Sequence, residues 1–373
     1  MDKNISKKKK ILMITARADF GGGPEHVYQL TKKLNDGYEF FIASPKEAPY
    51  WDYYCELVSP NNQFEIPKRK FRLTPIFRLS KLIIKNQINL IHSHGKGAGI
   101  YGRLLAFLTL RKSVHTFHGI HIDRYNSVQK KIYLMIERLL SKISSSVISS
   151  SNSESEKVLE LKIVSKKKLE VIPNGVILPE MKIDKNNFFN NERKILTVTR
   201  FDYAKNTGFI LDIIERVYNN NKLDDFKFVI VGNGDGKLDL MNEADKKGFK
   251  DKIDFAGFIE DVSGYYLDAF CYLSTSRWEG MPLAVLEAMS FGLPVVATDV
   301  TGNRDLVNPK INGYLYDLNS AEEAAQFIIL ISENFDEWKR FSKKSRYLVE
   351  KYYTTEIMSN AVSTVYEKLL EGK

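Results

Sequence analysis

Short runs of consecutive apolar residues alternate with longer amphipathic segments along most of the 373-residue chain. Such runs predict buried parallel strands, and the segments between them predict helices that cover both faces of a sheet. The first half contains six predicted strands, KKILMITA, YEFFIAS, INLIHSH, SVHTFHG, SSVISSS and LEVIPNGV. The second half contains six more, KILTVTR, KFVIVGNG, KIDFAGF, AFCYLSTS, LPVVATD and GYLYD. The pattern therefore predicts an α/β protein with two doubly wound domains.

A polar, asparagine-rich segment over residues 179–192 separates the two halves and predicts a linker. We expect an N-terminal domain over residues 1–178, a C-terminal domain over 193–352, and a final helix over 353–373. Domains of this kind bind ligands beyond the carboxyl ends of their strands, so the candidate chemistry is sought there.

Composition narrows the class of protein. Hydrophobic residues make up 43% of the chain and charged residues 27%, which is ordinary for a globular protein. Two cysteines are too few for a disulfide-framed fold. The lysines at 7–10 and the following ILMIT resemble a signal peptide, but the apolar run is too short and predicts a first strand. Since no apolar run reaches the length of a membrane span, we expect a soluble, cytoplasmic protein.

The charge is distributed unevenly. Residues 1–180 carry 30 basic and 16 acidic side chains, whereas residues 181–373 carry 25 and 30. No Asp or Glu occurs over residues 66–122. Basic and bulky apolar residues alternate there, which suits an anionic membrane surface or a phosphate-bearing ligand, with a solvated basic face as the alternative. Nucleic acid is not an expected partner, because no binding motif for it accompanies the charge. The candidate membrane or acceptor residues are Lys68, Arg69, Lys70, Arg72, Arg78 and Lys81.

The segment EGMPLAVLEAMSF carries the first candidate ligand site. Its initial Gly280, Met281 and Pro282 precede a helical pattern, with Pro282 expected at the first helical position, and free N–H groups there would attract an anion. Glu287 lies in the middle of this apolar helix, where a buried carboxylate needs donors such as a pair of ligand hydroxyls. A solvent-facing Glu287 is the alternative. Glu279, eight residues earlier, could face the same ligand.

The segment TRFDYAKN carries the second candidate site. Arg200 and Lys205 follow the predicted strand KILTV, at the edge where ligands of such domains bind. Two cations there would neutralise a diphosphate and stabilise the charge that develops when it leaves. For either cation alone, a solvated surface charge is the alternative.

Metal binding is not predicted. His115, His118 and His121 recur at three-residue spacing, but on a strand three such side chains cannot converge on one ion. The chain has no HExxH and no GxxxxGK[ST] motif, so zinc peptidase and nucleoside-triphosphatase sites are not indicated. The glycines of VGNGDG do not match the GxGxxG spacing of a dinucleotide site. We expect neither a metal nor a cofactor.

Together these segments resemble the retaining glycosyltransferases of family 4. RWEGMPLAVLEAMSFGLPVVATDVTG, with its two glutamates spaced E-x7-E, is similar to the signature of that family. FGGGPEHV, HTFHG, VIPNGV, TRFDYAKN, IVGNGDG and FAGF follow the family's order and span nearly the whole chain. The resemblance implies a GT-B architecture, in which two Rossmann-like domains face each other and the C-terminal helix returns to the N-terminal domain.

The resemblance also implies residue roles. Arg200 and Lys205 would bind the donor diphosphate, Glu287 the ribose hydroxyls, and Glu279 the transferred sugar. His118 would hydrogen-bond the sugar near the reaction centre, which makes His118, Arg200, Lys205 and Glu279 the candidate catalytic residues. The remaining candidate donor-binding residues are Gly22, Gly23, Gly232, Phe258, Gly280, Met281, Pro282 and Leu283.

The implied reaction is transfer of a hexose or N-acetylhexosamine from a nucleotide sugar, with retention and without a metal. UDP is expected because the family uses it most often, and no D-x-D motif of metal-dependent glycosyltransferases occurs. IHSHGKGAGIYGRLLA and VHTFHGIHIDRY resemble enzymes of bacterial capsule, exopolysaccharide and O-antigen synthesis. That likeness implies a sugar on undecaprenyl diphosphate as acceptor, and peripheral association with the inner face of the cell membrane. The alternatives are a GT-B-type UDP-sugar epimerase and a non-catalytic membrane-docked scaffold.

Overall fold

The computed structural model describes residues 8–120, 122, 125–180 and 192–372. The chain divides into two units, one formed by Met1–Gly175 with Thr355–Lys373 and the other by Val176–Thr354. The predicted boundaries at 178 and 352 fall within three residues of these divisions. Most of the predicted linker, residues 181–191, lies outside the described residues.

The first unit contains a seven-stranded sheet in the order β3-β2-β1-β4-β5-β6-β7, and all its neighbouring strands are parallel. Six of the seven strands coincide with predicted apolar runs. The exception is β3, a three-residue edge strand whose sequence QFE shows no apolar run. The strands are β1 Lys9–Thr15, β2 Tyr38–Ser44, β3 Gln63–Glu65, β4 Leu90–His94, β5 Lys112–Thr116, β6 Ser146–Ser149 and β7 Leu169–Val171.

Helices cover both faces of this sheet. They are α1 Gly22–Leu34, α2 Tyr50–Leu57, α3 Leu73–Lys85, α4 Gly95–Thr109, α5 Ser127–Ile143 and α6 Asn152–Glu160. Successive residues of β1 point into different cores: Ile11 and Met13 pack with residues of α1 and α2, whereas Leu12 and Ile14 pack with residues of α3 and α4. This explains why the strands read as continuous apolar runs, since both of their faces are buried.

The second unit contains a six-stranded parallel sheet in the order β10-β9-β8-β11-β12-β13. Its strands are β8 Arg193–Val198, β9 Phe226–Val231, β10 Ile253–Gly257, β11 Cys271–Ser274, β12 Val295–Thr298 and β13 Gly313–Tyr316. Its helices are α7 Phe209–Asn219, α8 Lys237–Lys246, α9 Ser263–Asp268, α10 Leu283–Ser290, α11 Asn303–Leu306, α12 Ala321–Glu333 and α13 Phe335–Tyr352.

The final helix, α14 Thr355–Glu371, belongs to the first unit and packs against α1. Met358, Val362 and Tyr366 of its apolar stripe are buried in the same core as Ile11 and Met13. The predicted fold class is confirmed, because each unit is a parallel sheet in the Rossmann-like manner. Within the described ranges, no helix combines the length and the apolar character needed to cross a bilayer.

Candidate active site

The loop that leaves β8 carries the first pair of predicted cations. Both Nε and Nη2 of Arg200 donate to Oδ2 of Asp202, at 2.9 and 2.7 Å. Oδ1 of the same carboxylate accepts the backbone N–H of Lys205 at 3.1 Å. Burial alone would raise the pKa of Asp202, but the charge and hydrogen bonds of Arg200 outweigh it and lower that pKa. Asp202, which the sequence did not single out, therefore fixes the loop on which both cations stand.

Lys205 reaches the loop that precedes α10. Its Nζ lies 2.5 Å from Oε1 of Glu279, and Oγ of Ser276 donates to the same oxygen at 2.6 Å. Both side chains of the ion pair are largely buried, with 19% and 12% of their surfaces exposed. The structure thus brings together two residues predicted from segments that lie 74 positions apart.

Gly232 allows the turn after β9 to approach the β8 loop. A Cβ atom at this position would lie 1.7 Å from the carbonyl oxygen of Thr199, and the backbone φ is 141°. Its N–H donates to the carbonyl oxygen of Gly257 at 2.7 Å, and Phe258 follows with about half of its side chain exposed. Only glycine fits this contact. Phe258 lies at the carboxyl edge of the sheet because it directly follows β10, and its role in donor binding stays a prediction.

Glu287 lies on α10 and is half-buried, as its apolar neighbours predict. The hydroxyl of Tyr266 donates to Oε2 of Glu287 at 2.8 Å. Burial, with the neighbouring carboxylate, raises the pKa of Tyr266 well above 10, so the phenol keeps its proton and acts as a donor. Sequence reasoning missed Tyr266, because it belongs to α9 and its spacing from α10 gives no signal.

The segment before α10 differs in one detail from the prediction. Pro282 was expected at the first helical position, but it occupies the N-cap position with ψ of 117°, and the helix begins at Leu283. Gly280, Met281 and Pro282 are buried, whereas Leu283 is half-buried. The physical reason is that an extended residue is needed where the chain turns from the loop into the helix. The backbone N–H groups of this turn still precede the helix, as an anion site requires.

In the first unit, His118 lies on the loop after β5, close to the start of α1. Gly22 and Gly23 form the first turn of that helix, and a Cβ atom on Gly23 would lie 3.9 Å from Cδ2 of His118. Oε1 of the buried Glu154 accepts the N–H of Gly119 at 2.6 Å, which fixes the loop that carries the imidazole. Glu154 was not predicted, since it lies on another helix, α6.

Two further histidines surround His118. One nitrogen each of His26, His94 and His118 lies within 4.8 Å of the others. Nδ1 of His94 is 3.4 Å from Nε2 of His118, and Nδ1 of His26 is 3.0 Å from Oδ1 of Asn174. The sequence grouped His118 with His115 and His121 instead. In the structure His115 hydrogen-bonds Ser93 within the core, and His121 lies outside the described residues.

These three imidazoles are uncharged near neutral pH. Burial lowers the pKa of His26 to about 4, and it holds the pKa values of His94 and His118 well below 6.5. Because the amide oxygen of Asn174 can only accept, Nδ1 of His26 carries the proton and Nε2 keeps its lone pair. Within the part of the chain that the structure describes, Nε2 of His26 and Nε2 of His94 are buried without a hydrogen-bond partner. The described residues therefore leave one ring nitrogen of each of these two histidines without a hydrogen bond.

The same cluster is the place where a metal ion could bind. Three neutral imidazoles are a ligand set that Zn²⁺ accepts, and the amide oxygen behind His26 would orient that ring. The absence of a metal thus stays a prediction from the sequence, and it is tested below.

The predicted membrane or acceptor residues lie just before α3 and along it. Lys70, Arg72 and Lys81 are exposed, as are the apolar Phe71, Leu73 and Phe77 between them. Lys68 and Arg69 form ion pairs with Glu47 and Asp19, and Arg78 donates to the carbonyl oxygen of Glu65. Ile76 is buried and Leu82 half-buried, so these two apolar residues belong to the core side of the helix and not to the surface.

Solved structures share this architecture. The chain superimposes on Anabaena HepE in complex with UDP-glucose with a TM-score of 0.83 at 17% identity, covering 96% of this chain and 100% of that one. Sucrose-phosphate synthase from Thermosynechococcus elongatus gives a TM-score of 0.82 at 21% identity, with coverage of 98% and 100%. Fold and sequence motifs together define a glycosyltransferase of the GT-B class.

Sequence comparison identifies the family. Residues 20–178 match Glycosyltransferase Family 4, and residues 180–347 match Glycosyl transferases group 1. The chain is 30% identical to UDP-Gal:alpha-D-GlcNAc-diphosphoundecaprenol alpha-1,3-galactosyltransferase of Escherichia coli, over 80% of this chain and 81% of that protein. It is 24% identical to the capsular polysaccharide biosynthesis glycosyltransferase CapH of Staphylococcus aureus, over 80% and 83%. The chain belongs to glycosyltransferase family 4 and is a glycosyltransferase of polysaccharide biosynthesis.

Proposed function

We propose that this enzyme transfers a hexose or N-acetylhexosamine from a UDP-sugar to a sugar carried on undecaprenyl diphosphate, with retention of configuration and without a metal ion. The observation that carries the proposal is the contact between Lys205 and Glu279 at the carboxyl edge of the second sheet, beside Arg200. Cations for a diphosphate and a carboxylate for sugar hydroxyls lie there on adjoining loops.

The second unit is the donor half in this proposal. Arg200 and Lys205 each contact a carboxylate, so they are held in place before the diphosphate arrives. The carboxylate of Glu287 can accept several hydrogen bonds at once, so the two ribose hydroxyls can join the bond from Tyr266. Phe258 offers an exposed ring for the base. The relatives support UDP, since HepE was solved with UDP-glucose and the Escherichia coli relative uses UDP-Gal.

Bond breaking would develop negative charge on the departing diphosphate, and Lys205 and Arg200 would stabilise it. The bond from the anomeric carbon to the phosphate oxygen breaks as the acceptor hydroxyl attacks the same face of the sugar. The hydroxyl proton passes to the leaving phosphate oxygen, and configuration is retained. Two cationic side chains supply the charge that a bound metal supplies in other transferases.

The first unit is the acceptor half. Its uncharged histidines, His118 with His26 and His94, suit the hydroxyls of a neutral sugar because an imidazole nitrogen with a lone pair accepts a hydrogen bond without adding charge. The lipid diphosphate of the acceptor is anionic, and the exposed Lys70, Arg72 and Lys81 offer it a basic surface at the inner face of the membrane. The named substrate of the Escherichia coli relative, GlcNAc-diphosphoundecaprenol, supports this class of acceptor.

Thermal shifts test the donor half. UDP, GDP, ADP, CMP and their common sugar conjugates are added to the wild type and to Glu287→Ala, and melting temperatures are recorded. A ligand that binds only the folded state raises the melting temperature. We expect a shift with UDP and one UDP-sugar that is lost in the variant. No shift with any nucleotide would point to a non-catalytic scaffold, or to a cleft that forms only at the membrane.

Acceptor-dependent release of UDP tests the reaction. Synthetic sugar-diphosphate lipids are incubated with the donor identified above, and the anomeric configuration of the product is determined by NMR. Conversion of the UDP-sugar without an acceptor would instead identify an epimerase. An inverted product linkage would refute retention.

Lys205→Ala tests stabilisation of the leaving group, and Lys194→Ala is its matched control. Lys194 also forms an ion pair with a carboxylate, that of Asp268, but at the amino-terminal end of β8. We expect Lys205→Ala to lower kcat by about 100-fold or more, as for loss of one preorganised charge-stabilising group. Unchanged kcat in Lys205→Ala would refute its role.

The basic surface is tested by replacing Lys70, Arg72, Lys81 and Lys85 with Ser together, since all four are exposed. We expect weaker use of the lipid-linked acceptor and an unchanged shift with the nucleotide. Equal acceptor KM in this variant and in the wild type would show that the surface is only a solvated basic face.

A further inference from the structure

Helix α5 exposes an apolar face on the side away from the protein. Five large apolar residues have 38–64% of their surfaces exposed, and their spacing of four, three, one and three residues places them along one side of the helix. Single exposed apolar residues are common, but a continuous row of five on one helix marks an interaction surface. These residues are Val128, Ile132, Met135, Ile136 and Leu139.

The opposite face of α5 is buried and contains the only acidic residue of the helix. Tyr133, Glu137, Leu140 and Ser141 are buried, and Oε2 of Glu137 lies 2.8 Å from Nη1 of the buried Arg103. The helix therefore carries apolar residues on both sides, and its one acidic residue lies toward the core while a row of apolar side chains points outward. A solvent-exposed helix would gain nothing from this arrangement.

Every exposed charged side chain of α5 is basic. Lys130, Lys131, Arg138 and Lys142 are exposed, and no exposed acid occurs over Ser127–Ile143, all of which is described. On a helical projection, Lys131, Arg138 and Lys142 line one border of the apolar row. Apolar side chains bordered by cations are the composition of helices that lie in the interface of an anionic bilayer.

Two further helices of the same unit also expose apolar residues. Helix α4 packs against both α3 and α5, and its C-terminal end exposes Phe107, Leu108 and, just beyond it, Leu110. Helix α3 exposes Leu73, Phe77 and Ile84. The acid-free stretch over residues 66–122 includes α3 and α4, and the one acidic residue of α5, Glu137, is buried.

We propose that the outward face of α5 inserts into an anionic phospholipid bilayer, with its bordering lysines and arginine at the headgroups. The charge favours lipid over a second copy of the chain, because two such faces would bring cations together without any exposed acid to pair with them. Only the purpose of this docking, delivery of a lipid-linked acceptor, rests on the function proposed above. Binding to lipid is measurable without donor, acceptor or turnover.

Flotation with vesicles tests the proposal. The full chain is mixed with phosphatidylcholine vesicles that contain 30% phosphatidylglycerol or none, and the bound fraction is measured. The test variant is Ile132→Gln/Met135→Gln/Leu139→Gln. The matched control is Leu238→Gln/Met241→Gln/Leu330→Gln, which replaces three exposed apolar residues of the second unit. Circular dichroism melting shows that each variant is folded.

We expect the wild type and the control to bind the anionic vesicles, and the test variant to lose at least tenfold in partition coefficient. Lys131→Ser/Arg138→Ser/Lys142→Ser should lose about 100-fold, at about fivefold for each cation removed near an anionic surface. An Ile132→Trp variant should shift its fluorescence to shorter wavelength with anionic vesicles only.

Equal vesicle binding by the test variant and the wild type would overturn the proposal, as would a wild type that does not float with either vesicle. A concentration-dependent dimer that the test variant abolishes, without vesicle binding, would assign the face to a second copy of the chain. A wild type that transfers sugar in detergent but does not bind the vesicles would refute the docking surface alone. Vesicle binding by a wild type that transfers no sugar would refute only the proposed reaction.

Discussion

Acidification should destabilise the first unit through His26. Burial lowers the pKa of this imidazole to about 4 in the folded chain, whereas its ordinary value is 6.5. The unfolded chain therefore takes up a proton at this residue at a higher pH than the folded chain does. Its contribution to stability is complete above pH 6.5 and is lost as the pH falls from 6.5 to about 4.

The size of the effect follows from these two pKa values. At pH 5 the uptake of a proton shifts the folding equilibrium toward the unfolded state by about 30-fold, or about 2 kcal/mol. Below pH 4 the total loss in the free energy of unfolding is about 3 kcal/mol. His94 and His118, whose pKa values are also lowered by burial, add to the loss in the same direction. A unit of ordinary stability, about 5–15 kcal/mol, would lose a measurable part of it.

Hydrogen exchange read by mass spectrometry on peptides from α1 measures the opening free energy of this unit. The wild type and His26→Gln are compared at pH 7.5 and 5.0, after correction for the intrinsic exchange rate at each pH. The substitution itself changes the opening free energy by an amount that does not depend on pH, and this amount cancels when the values at pH 7.5 and 5.0 are subtracted. We expect the wild type to lose about 2 kcal/mol more than His26→Gln.

A pH-dependent loss that is the same in both proteins, within about 0.5 kcal/mol, would refute the reasoning, because the buried imidazole would then not be the group that takes up the proton. Peptides from α7 in the second unit serve as the internal control, and their response should not depend on the substitution.

Three further outcomes are expected. Tyr266→Phe should weaken UDP binding about tenfold in a titration, because the Glu287 carboxylate loses a charge-assisted hydrogen-bond donor. Tyr316→Phe is the control, and it should not change UDP binding, because it removes an equally buried hydroxyl that donates only to a backbone carbonyl. Arg103→Met should lower the free energy of urea unfolding by about 3–5 kcal/mol by leaving Glu137 buried without its partner, and adding Glu137→Leu should recover most of that loss. Exhaustive treatment with EDTA should leave transfer unchanged; activity lost to EDTA and restored by Zn²⁺ would show instead that the three-histidine cluster holds a metal.

Much of the fold could be predicted because its signal is local. Each apolar run is long enough to specify a strand by itself, and twelve of the thirteen strands were found in this way. The positions of Arg200, Lys205, Glu279 and Glu287 could also be predicted, because these residues lie in short segments next to strands whose carboxyl ends share one edge. Their roles in binding a donor stay a prediction. Where the local signal fails, as in β3, the strand exists only because β2 pairs with it.

The supporting residues could not be predicted, because each acts across a long sequence distance. Tyr266 reaches Glu287 from another helix, and Glu154 fixes the His118 loop from 35 positions away. The histidine cluster shows the same limit. His26, His94 and His118 come from α1, the end of β4 and the loop after β5, and only the order of the parallel strands brings them together. Spacing along the chain favoured His115, which points into the core instead.

For helix α5 the sequence predicts the helix but not which of its sides faces the core. Its sequence SVQKKIYLMIERLLSKI predicts a helix, but it contains apolar residues on both sides, so periodicity does not say which side faces the core. Burial depends on the partner that the fold supplies, and here Arg103 of α4 draws Glu137 inward. Once the acid is buried, Ile132, Met135 and Leu139 must face outward, because they lie on the opposite side of the same helix. The exposed apolar face is thus a consequence of a buried ion pair between two helices, and it can be recognised only after that pair is known.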